Sequence, residues 1–253
     1  MLSDQDFLRY NRQIMLPEIG EQGQLLLGQA QVLLVGAGGL GSAAALYLAG
    51  AGVGHLIIAD DDEVDSSNLQ RQVIYRDSHQ SRSKALMAAE QVTALNPHIR
   101  VRSVQARLAG QRLAMEVALA DVVLDCSDNL ATRHAVNQAC FMAQKPLISG
   151  AAIRWQGQLM SFDFRQGNGP CYHCLFPLQS DAPQEPQNCS SAGIAGPVVG
   201  VMGTMQALEC IKLITGAGAV AFGALQQFDG LTMAWHRFNL AQDKQCPVCS
   251  TGE

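Results

Sequence analysis

Short apolar runs alternate with helix-forming stretches along the first part of the chain. The apolar runs are rich in Val, Ile and Leu and are too short for helices, so they predict buried strands at residues 32–35, 56–59, 99–104, 122–124 and 147–149. Helical patterns surround them at residues 3–14, 20–31, 42–51, 82–95, 111–119 and 131–143. This alternation predicts an α/β fold with a Rossmann-like, doubly wound and mostly parallel sheet.

The pattern changes after residue 150. Residues 155–164 alternate apolar and polar side chains, which favours a strand in antiparallel pairing. The remaining elements are a polar loop, a long apolar helix bounded by Pro197 and Gly216, and two final strands, at residues 167–186, 197–215, 224–228 and 233–240. We therefore expect antiparallel strands to continue the parallel sheet.

One domain of 253 residues is expected, because no linker clearly divides the chain. Its parts would be an N-terminal helical segment (1–30), a nucleotide-binding part (31–150) and an antiparallel, zinc-binding part (151–253). Hydrophobic residues make up 48% of the chain and charged residues 15%, which indicates a compact globule. The net charge of −5 argues against broad binding to nucleic acid. We expect no secretion signal and no membrane span, and hence a cytoplasmic protein.

A glycine-rich turn follows the first predicted strand. Gly36, Gly38, Gly39 and Gly41 fit the G-x-G-x-x-G pattern, and the second strand ends at Asp60 about 20 residues later. Glycines let backbone N–H groups approach a phosphate at a helix N-terminus, while a carboxylate holds a ribose hydroxyl. The pattern predicts a nucleotide site. A glycine-rich packing turn is the structural alternative.

Charged side chains elsewhere suit a triphosphate and its magnesium ion. Lys84 begins a helix, where positive charge opposes the helix dipole, which hints at an anionic ligand. Other candidates follow predicted strands or lie in the first helix: Arg12, Asp62, Arg71, Asp128 and Asn129. A hydride-transfer site would need neither this much positive charge nor the acid at Asp128. Exposed ion pairs are the alternative for each residue taken singly.

Two C-x-x-C pairs predict a structural zinc site. Cys171 and Cys174 form one pair, and Cys246 and Cys249 form the other. Four thiolates complete a tetrahedral zinc site and leave no position open for catalysis. The main alternative is a thioredoxin-type redox pair, which would need a helix start after a strand, whereas both pairs are predicted in loops.

The other four cysteines fall into two groups. Cys126, Cys140 and Cys210 lie within apolar elements and are predicted to be buried. Cys189 lies in a polar stretch, where an exposed thiol can act as a nucleophile. An incidental loop cysteine is the alternative.

Taken together, these motifs closely resemble the ThiF/MoeB/HesA family of ubiquitin-activating-enzyme-like adenylyltransferases. The resemblance covers nearly the whole chain. It rests on residues 9–14, the glycine turn, the segment Ser67-Asn68-Leu69-Gln70-Arg71-Gln72, Lys84, the segment Asp125-Cys126-Ser127-Asp128-Asn129 and both C-x-x-C pairs. It implies ATP-dependent adenylylation of the C-terminal glycine of a small β-grasp sulfur-carrier protein that ends in Gly-Gly.

The resemblance also implies roles for individual residues. Gly39 and Asp60 would hold the nucleotide, and Asn68, Arg71 and Lys84 would contact its phosphates within the binding segments 67–71 and 128–129. Asp128 would bind magnesium, with Asp62 near the metal. Arg12 would reach into the site of a neighbouring subunit, which implies a homodimer.

The carrier is the finer question. Residues 59–62, 184–189 and 196–203 are similar to members that act on the thiamine-pathway carrier ThiS, and this is the assignment we favour. Residues 149–154 are more similar to members that act on the molybdopterin-pathway carrier MoaD. In the ThiS-directed members the cysteine that matches Cys189 is implicated in sulfur transfer, which implies a sulfurtransferase or cysteine desulfurase as donor.

Two further hypotheses come from other functional classes. A nicotinamide-dependent oxidoreductase could use the same glycine turn, although the phosphate-type cations argue against it. A non-catalytic scaffold could keep the fold without turnover, but it would have no physical need for Arg12, Arg71, Lys84 and Asp128 together.

Overall fold

The computed structural model of the chain describes residues 1–165, 169–178 and 192–250. The helices are α1 (Asp4–Ile14), α2 (Gly20–Gln29), α3 (Gly39–Ala51), α4 (Lys84–Leu95), α5 (Gly110–Leu119), α6 (Leu130–Met142), α7 (Tyr172–Leu175) and α8 (Gly196–Thr215). The strands are β1 (Gln31–Val35), β2 (His55–Ala59), β3 (Arg100–Val104), β4 (Val122–Asp125), β5 (Leu147–Ile153), β6 (Gln156–Phe162), β7 (Ala224–Asp229) and β8 (Ala234–Asn239). Two short 3-10 turns lie at Ser66–Asn68 and Asp77–His79.

All of these strands form one mixed sheet in the order β3-β2-β1-β4-β5-β6-β7-β8. Pairing is parallel from β3 to β5 and antiparallel from β5 to β8. The predicted α/β fold with an antiparallel continuation is confirmed. Because β1 pairs with both β2 and β4, the chain order reverses at β1, and ligands of such sheets bind beyond the carboxyl ends of the strands at this point.

Strand side chains alternate between two hydrophobic cores on opposite faces of the sheet. In β1, Val32 and Leu34 face the core that includes α2, α3, α4 and α8. Leu33 and Val35 face the core that includes α5, α6 and the four cysteines of the C-x-x-C pairs. Both faces are therefore covered by helices, as a parallel sheet requires.

Three elements differ from the sequence-based prediction for local physical reasons. Helix α3 starts at Gly39 rather than at residue 42, because the glycine turn itself supplies its first residues. Strand β5 continues to Ile153, because its pairing with β6 extends from Leu147 to that residue. The segment expected to be a loop contains the single turn of α7, with Cys171 at its N-cap and Cys174 within it.

Helix α8 is the one helix of the described residues that is long and apolar enough to cross a membrane. Its apolar character also has an explanation in packing, since Val198, Met202 and Ala207 belong to the core that it shares with α3. At Gly203 an added Cβ would lie 2.3 Å from the carbonyl oxygen of Leu40 in α3. The absence of a side chain at Gly203 therefore lets the two helices pack backbone to backbone.

We predict opposite effects of Gly→Ala changes at two positions of α8. Gly203→Ala should lower the free energy of unfolding by about 1–3 kcal/mol, because its methyl group overlaps the α3 backbone. Gly200→Ala should raise it by about 0.5–1 kcal/mol, because nothing lies within 4 Å of the added methyl and alanine favours helix. Urea unfolding measures both. Equal effects of the two substitutions would contradict this packing.

Candidate active site

A cleft of about 820 Å³ lies at the carboxyl edge of the parallel strands, where the strand order reverses. One side is formed by the glycine turn, the first residue of α4, and Asn68, Arg71 and Gln72, and we call it the α3/α4 side. The other is formed by residues 106–108 and the start of α6, and we call it the α5/α6 side. Asp60, at the end of β2, lies between them.

The glycine turn is held against the loop that follows β4. Gly36 has a φ of +100°, and a Cβ there would lie 2.7 Å from the carbonyl oxygen of Cys126. At Gly41 a Cβ would lie 2.1 Å from the carbonyl oxygen of Gly36. Gly36, Gly38 and Gly39 line the cleft, whereas Gly41 packs against Gly36 and lies outside the cleft lining. Gly36 therefore both packs closely and lines the cleft, whereas Gly41 serves close packing alone.

Asp60 ties the end of β2 to the glycine turn. Its Oδ2 accepts the Ala37 N–H at 2.7 Å, and its Oδ1 accepts the Asp62 N–H at 2.8 Å. Burial raises the pKa of Asp60 above its ordinary value, although the two backbone donors and Lys84 favour the charged form. Each carboxylate oxygen keeps a free lone pair for a further donor such as a sugar hydroxyl.

Lys84 reaches the cleft from the N-terminus of α4. Its Nζ lies 2.8 Å from Asp62 Oδ2; the lysine side chain is only 8% exposed, and that of Asp62 is 69% exposed. The misfit of a lysine with the helix dipole is therefore relieved by a neighbouring acid. Since Asp62 is open to solvent, the buried amine can exchange this partner for an anionic ligand.

Arg71 and Asn68 also line the α3/α4 side. The Arg71 Nη1 donates to the Ser67 carbonyl at 3.0 Å, which orients the guanidinium. Three other members of the predicted binding segment lie outside the cleft lining. The hydroxyl of Ser67 donates to Asp65 at 2.6 Å, Leu69 packs against the core, and the Gln70 backbone packs against Gly196.

Asp128 and Asn129 approach the cleft from the loop after β4. Asn129 caps α6, since its Oδ1 accepts the Thr132 N–H at 2.9 Å. Asp128 immediately precedes this cap and is exposed to the cleft. The cap fixes the place where the loop ends and therefore the backbone position of Asp128.

A buried charge network beneath this loop is absent from the sequence-based prediction. Arg133 Nη1 lies 3.5 Å from Asp125 Oδ2, with both side chains buried, and Arg133 Nη2 donates to the Ser127 carbonyl. Ser149 Oγ donates to Asp125 Oδ2 at 2.9 Å. From α8, Gln206 Nε2 donates to the Asp125 carbonyl at 2.8 Å. The network joins β4, β5, α6 and α8 under the loop that carries Asp128.

Arg107 is a second residue that the sequence-based prediction missed. It lines the α5/α6 side, and its Nη2 donates to Asn129 Oδ1 at 3.0 Å and to Thr132 Oγ1 at 3.2 Å. Its position soon after the end of β3, at the same sheet edge as Asp60, was the available signal.

Arg12 is exposed in the last turn of α1 and is not among the residues that line the cleft of its own chain. Cys189 lies outside the described residues.

The sulfur atoms of Cys171, Cys174, Cys246 and Cys249 cluster within the second core. Three of their separations are 3.9 Å, 3.7 Å and 3.3 Å. Sulfurs that surround a zinc ion tetrahedrally at about 2.3 Å lie roughly 3.8 Å apart. The cluster is therefore consistent with the predicted zinc site. Cys126, Cys140 and Cys210 are buried free thiols, as predicted.

Comparison with known proteins agrees with this geometry. The family model described as the ThiF family matches residues 10–248. The chain belongs to the ThiF family. The resemblance inferred from the motifs is thereby confirmed.

Among curated ThiF-family relatives, the sulfur carrier protein ThiS adenylyltransferase of Escherichia coli is 49% identical over 251 residues, which are 98% of this chain and 97% of that protein. The molybdopterin-synthase adenylyltransferase of the same organism is 44% identical over 248 residues, 98% of each chain. A crystal structure of E. coli MccB with succinimide has a TM-score of 0.82 at 22% identity, covering 96% of this chain and 74% of that one. The last likeness concerns the fold alone.

We predict that removal of one partner of the buried Asp125–Arg133 pair destabilises the fold. Arg133→Ala should lower the free energy of unfolding by about 3–5 kcal/mol, because it leaves the Asp125 carboxylate buried and unpaired. Arg82→Ala is the control, since Arg82 and Glu90 form a pair whose side chains are 48% and 46% exposed. It should cost less than about 1 kcal/mol. Equal losses in guanidinium unfolding would contradict the assignment.

Proposed function

We propose that the chain adenylylates the C-terminal glycine carboxylate of the sulfur-carrier protein ThiS, forming an acyl-adenylate and pyrophosphate. One observation carries the proposal. The cleft brings Asp60, Arg71, Lys84 and Asp128 together at the reversal of strand order, in a chain that is 49% identical to a ThiS adenylyltransferase over 98% of its length.

The α3/α4 side of the cleft would bind the triphosphate. Backbone N–H groups at the N-terminus of α3, with Asn68, Arg71 and Lys84, face one volume and can neutralise phosphate charge. The carrier carboxylate is already a nucleophile, so in-line attack on the α-phosphate needs no strong base. Positioning and charge neutralisation therefore supply most of the catalysis.

Asp128 would hold magnesium, with Asp62 nearby. Hard cations prefer carboxylate oxygens, and Asp128 is an exposed carboxylate of the cleft with a fixed backbone. Magnesium bound there would offset the charge that develops on the leaving pyrophosphate.

The cleft also has room for the tail of the carrier. It continues past the nucleotide-binding end along β5 and β6, where Ile153, Gln156 and Gln158 line it. An extended Gly-Gly terminus is narrow enough to reach the α-phosphate along this path, because glycine has no side chain.

MoaD is the alternative carrier. The relative with 44% identity, a molybdopterin-synthase adenylyltransferase, supports MoaD as the carrier. The higher identity to the ThiS adenylyltransferase favours ThiS, and so do the motifs at residues 59–62, 184–189 and 196–203. The nicotinamide hypothesis fits less well, because Arg71, Lys84 and Asp128 have no role in hydride transfer.

Arg12 supports a homodimer in this proposal. It is exposed on α1 and outside the cleft of its own chain, so it can serve the site of a second subunit. For Cys189, we propose a role in sulfur transfer from a cysteine desulfurase or sulfurtransferase, on the resemblance alone.

The assay that tests the function is ATP–pyrophosphate exchange with magnesium, with ThiS and MoaD compared as carriers. Exchange that depends on ThiS is the expected result, and exchange with neither carrier would contradict the proposal. Asp128→Asn should lower the exchange rate by about 10²–10³-fold, because magnesium loses its negatively charged carboxylate ligand. Asp61→Asn, another carboxylate that lines the cleft, should lower it less than about threefold. The opposite order would remove Asp128 from the metal site.

Zinc would hold the C-terminal tail to the segment around α7. Four thiolates leave no open position for substrate, so the metal would stabilise the structure and take no part in adenylylation. Removal of zinc should therefore lower the stability of the fold, and it should affect adenylylation in the cleft only through that loss of stability.

Metal analysis tests this assignment. The purified protein should contain about one zinc ion per chain, and the double variant Cys246→Ser, Cys249→Ser should contain none. Cys140→Ser, at a buried thiol outside the cluster, should keep its zinc. A double variant that retains zinc would show that the metal lies elsewhere.

A further inference from the structure

Arg107 lies on the side of the cleft opposite the phosphate-type cations. It follows β3 by three residues, and the neighbouring Ala106 and Leu108 also line the cleft. Two neutral acceptors at the start of α6, Asn129 Oδ1 and Thr132 Oγ1, hold its Nη2 at 3.0 Å and 3.2 Å. The guanidinium is therefore fixed in place from one end.

The charge of Arg107 has no carboxylate partner among the described residues. Four other arginines of the described residues do have one, since Arg82, Arg102, Arg133 and Arg165 pair with Glu90, Glu116, Asp125 and Asp163. Among the described residues, Nε and Nη1 have no hydrogen-bond partner, and the side chain is exposed, so the guanidinium is accessible to a ligand. An arginine held in this way can take a ligand that is either anionic or flat and aromatic.

The layout of the cleft decides between these two kinds of ligand. On the proposed function, the ribose lies at Asp60, and the phosphates lie on the α3/α4 side with Arg71 and Lys84. The base leaves the ribose from the opposite end to the phosphates. It must therefore extend toward the α5/α6 side, where residues 106–108 border the strand next to β2.

We propose that Arg107 is a base-binding residue whose guanidinium stacks on the adenine of ATP. The inference rests on the proposed function and deepens it. Asn129 has two tasks in this arrangement, because the same oxygen that caps α6 also receives the Arg107 hydrogen bond. The base site and the loop that carries Asp128 thus share one side chain. Guanidinium planes stack on aromatic rings through cation–π attraction, which a lysine ammonium cannot reproduce over the same area.

The test compares ATP with a ligand that has phosphates but no base. Dissociation constants for magnesium–ATP and inhibition constants for magnesium tripolyphosphate would be measured on the full-length protein for the wild type, Arg107→Ala and Arg107→Lys. Arg112→Ala, at an exposed arginine of α5 outside the cleft lining, is the control. Melting temperatures without ligand identify any variant whose fold is damaged.

Stacking predicts that Arg107→Ala weakens ATP binding about fivefold to twentyfold and leaves the tripolyphosphate constant unchanged. Arg107→Lys should not restore ATP binding, and Arg112→Ala should match the wild type. Equal weakening of both ligands, with rescue by lysine, would show a phosphate contact and overturn the inference. An unchanged ATP constant in Arg107→Ala would overturn it as well. Failure of the wild type to bind ATP would instead defeat the proposed function itself.

Discussion

The close approach of two backbone segments, the glycine turn after β1 and the loop after β4, is the constraint on which the cleft depends. A single methyl group at Gly36 would meet the Cys126 carbonyl, and one at Gly41 would meet Gly36. With these positions free of side chains, α3 begins directly beside the strand that carries Asp125. The glycine turn and the loop of Asp128 can then face the same volume.

Electrostatic organisation follows from that geometry. Cations that face the cleft are held in different ways: Lys84 is buried and pairs with the solvent-exposed Asp62, and Arg71 donates to a backbone carbonyl. Arg133 pairs with Asp125 and donates to the loop backbone. It therefore supports the site, and its charge is not free to bind a ligand. The buried Asp125–Arg133 pair supports the loop after β4 from below. Lys84 and Arg71, which face the cleft, remain available for the phosphates of the proposed ligand.

Much of this arrangement could be predicted from the sequence because its signals are local. Helix α1 begins where the helical pattern at residues 3–14 predicted it, at the capping box of Ser3 and Asp6. The apolar runs predicted the strands to within a few residues at their ends. The C-x-x-C pairs gave the sulfur cluster, since their chemistry depends on residue type and spacing.

Contacts between distant segments could not be predicted in the same way. Arg107 and Arg133 look like ordinary arginines in the sequence, and only the fold shows that one meets Asn129 and the other Asp125. The length of β5 was underestimated because it depends on pairing with β6. Ser67, Leu69 and Gln70 share a segment with Asn68 and Arg71, yet a turn directs neighbouring side chains in different directions, so only the latter two line the cleft.

The central claim is that the carrier carboxylate attacks the α-phosphate of ATP in this cleft. It is tested most directly by labelling the C-terminal carboxylate of ThiS with oxygen-18, incubating it with the protein, ATP and magnesium, and allowing the product to hydrolyse. An acyl-adenylate transfers one labelled oxygen to AMP, and this is the result that we predict. Label in inorganic phosphate, accompanied by ADP, would show attack at the γ-phosphate and contradict the account.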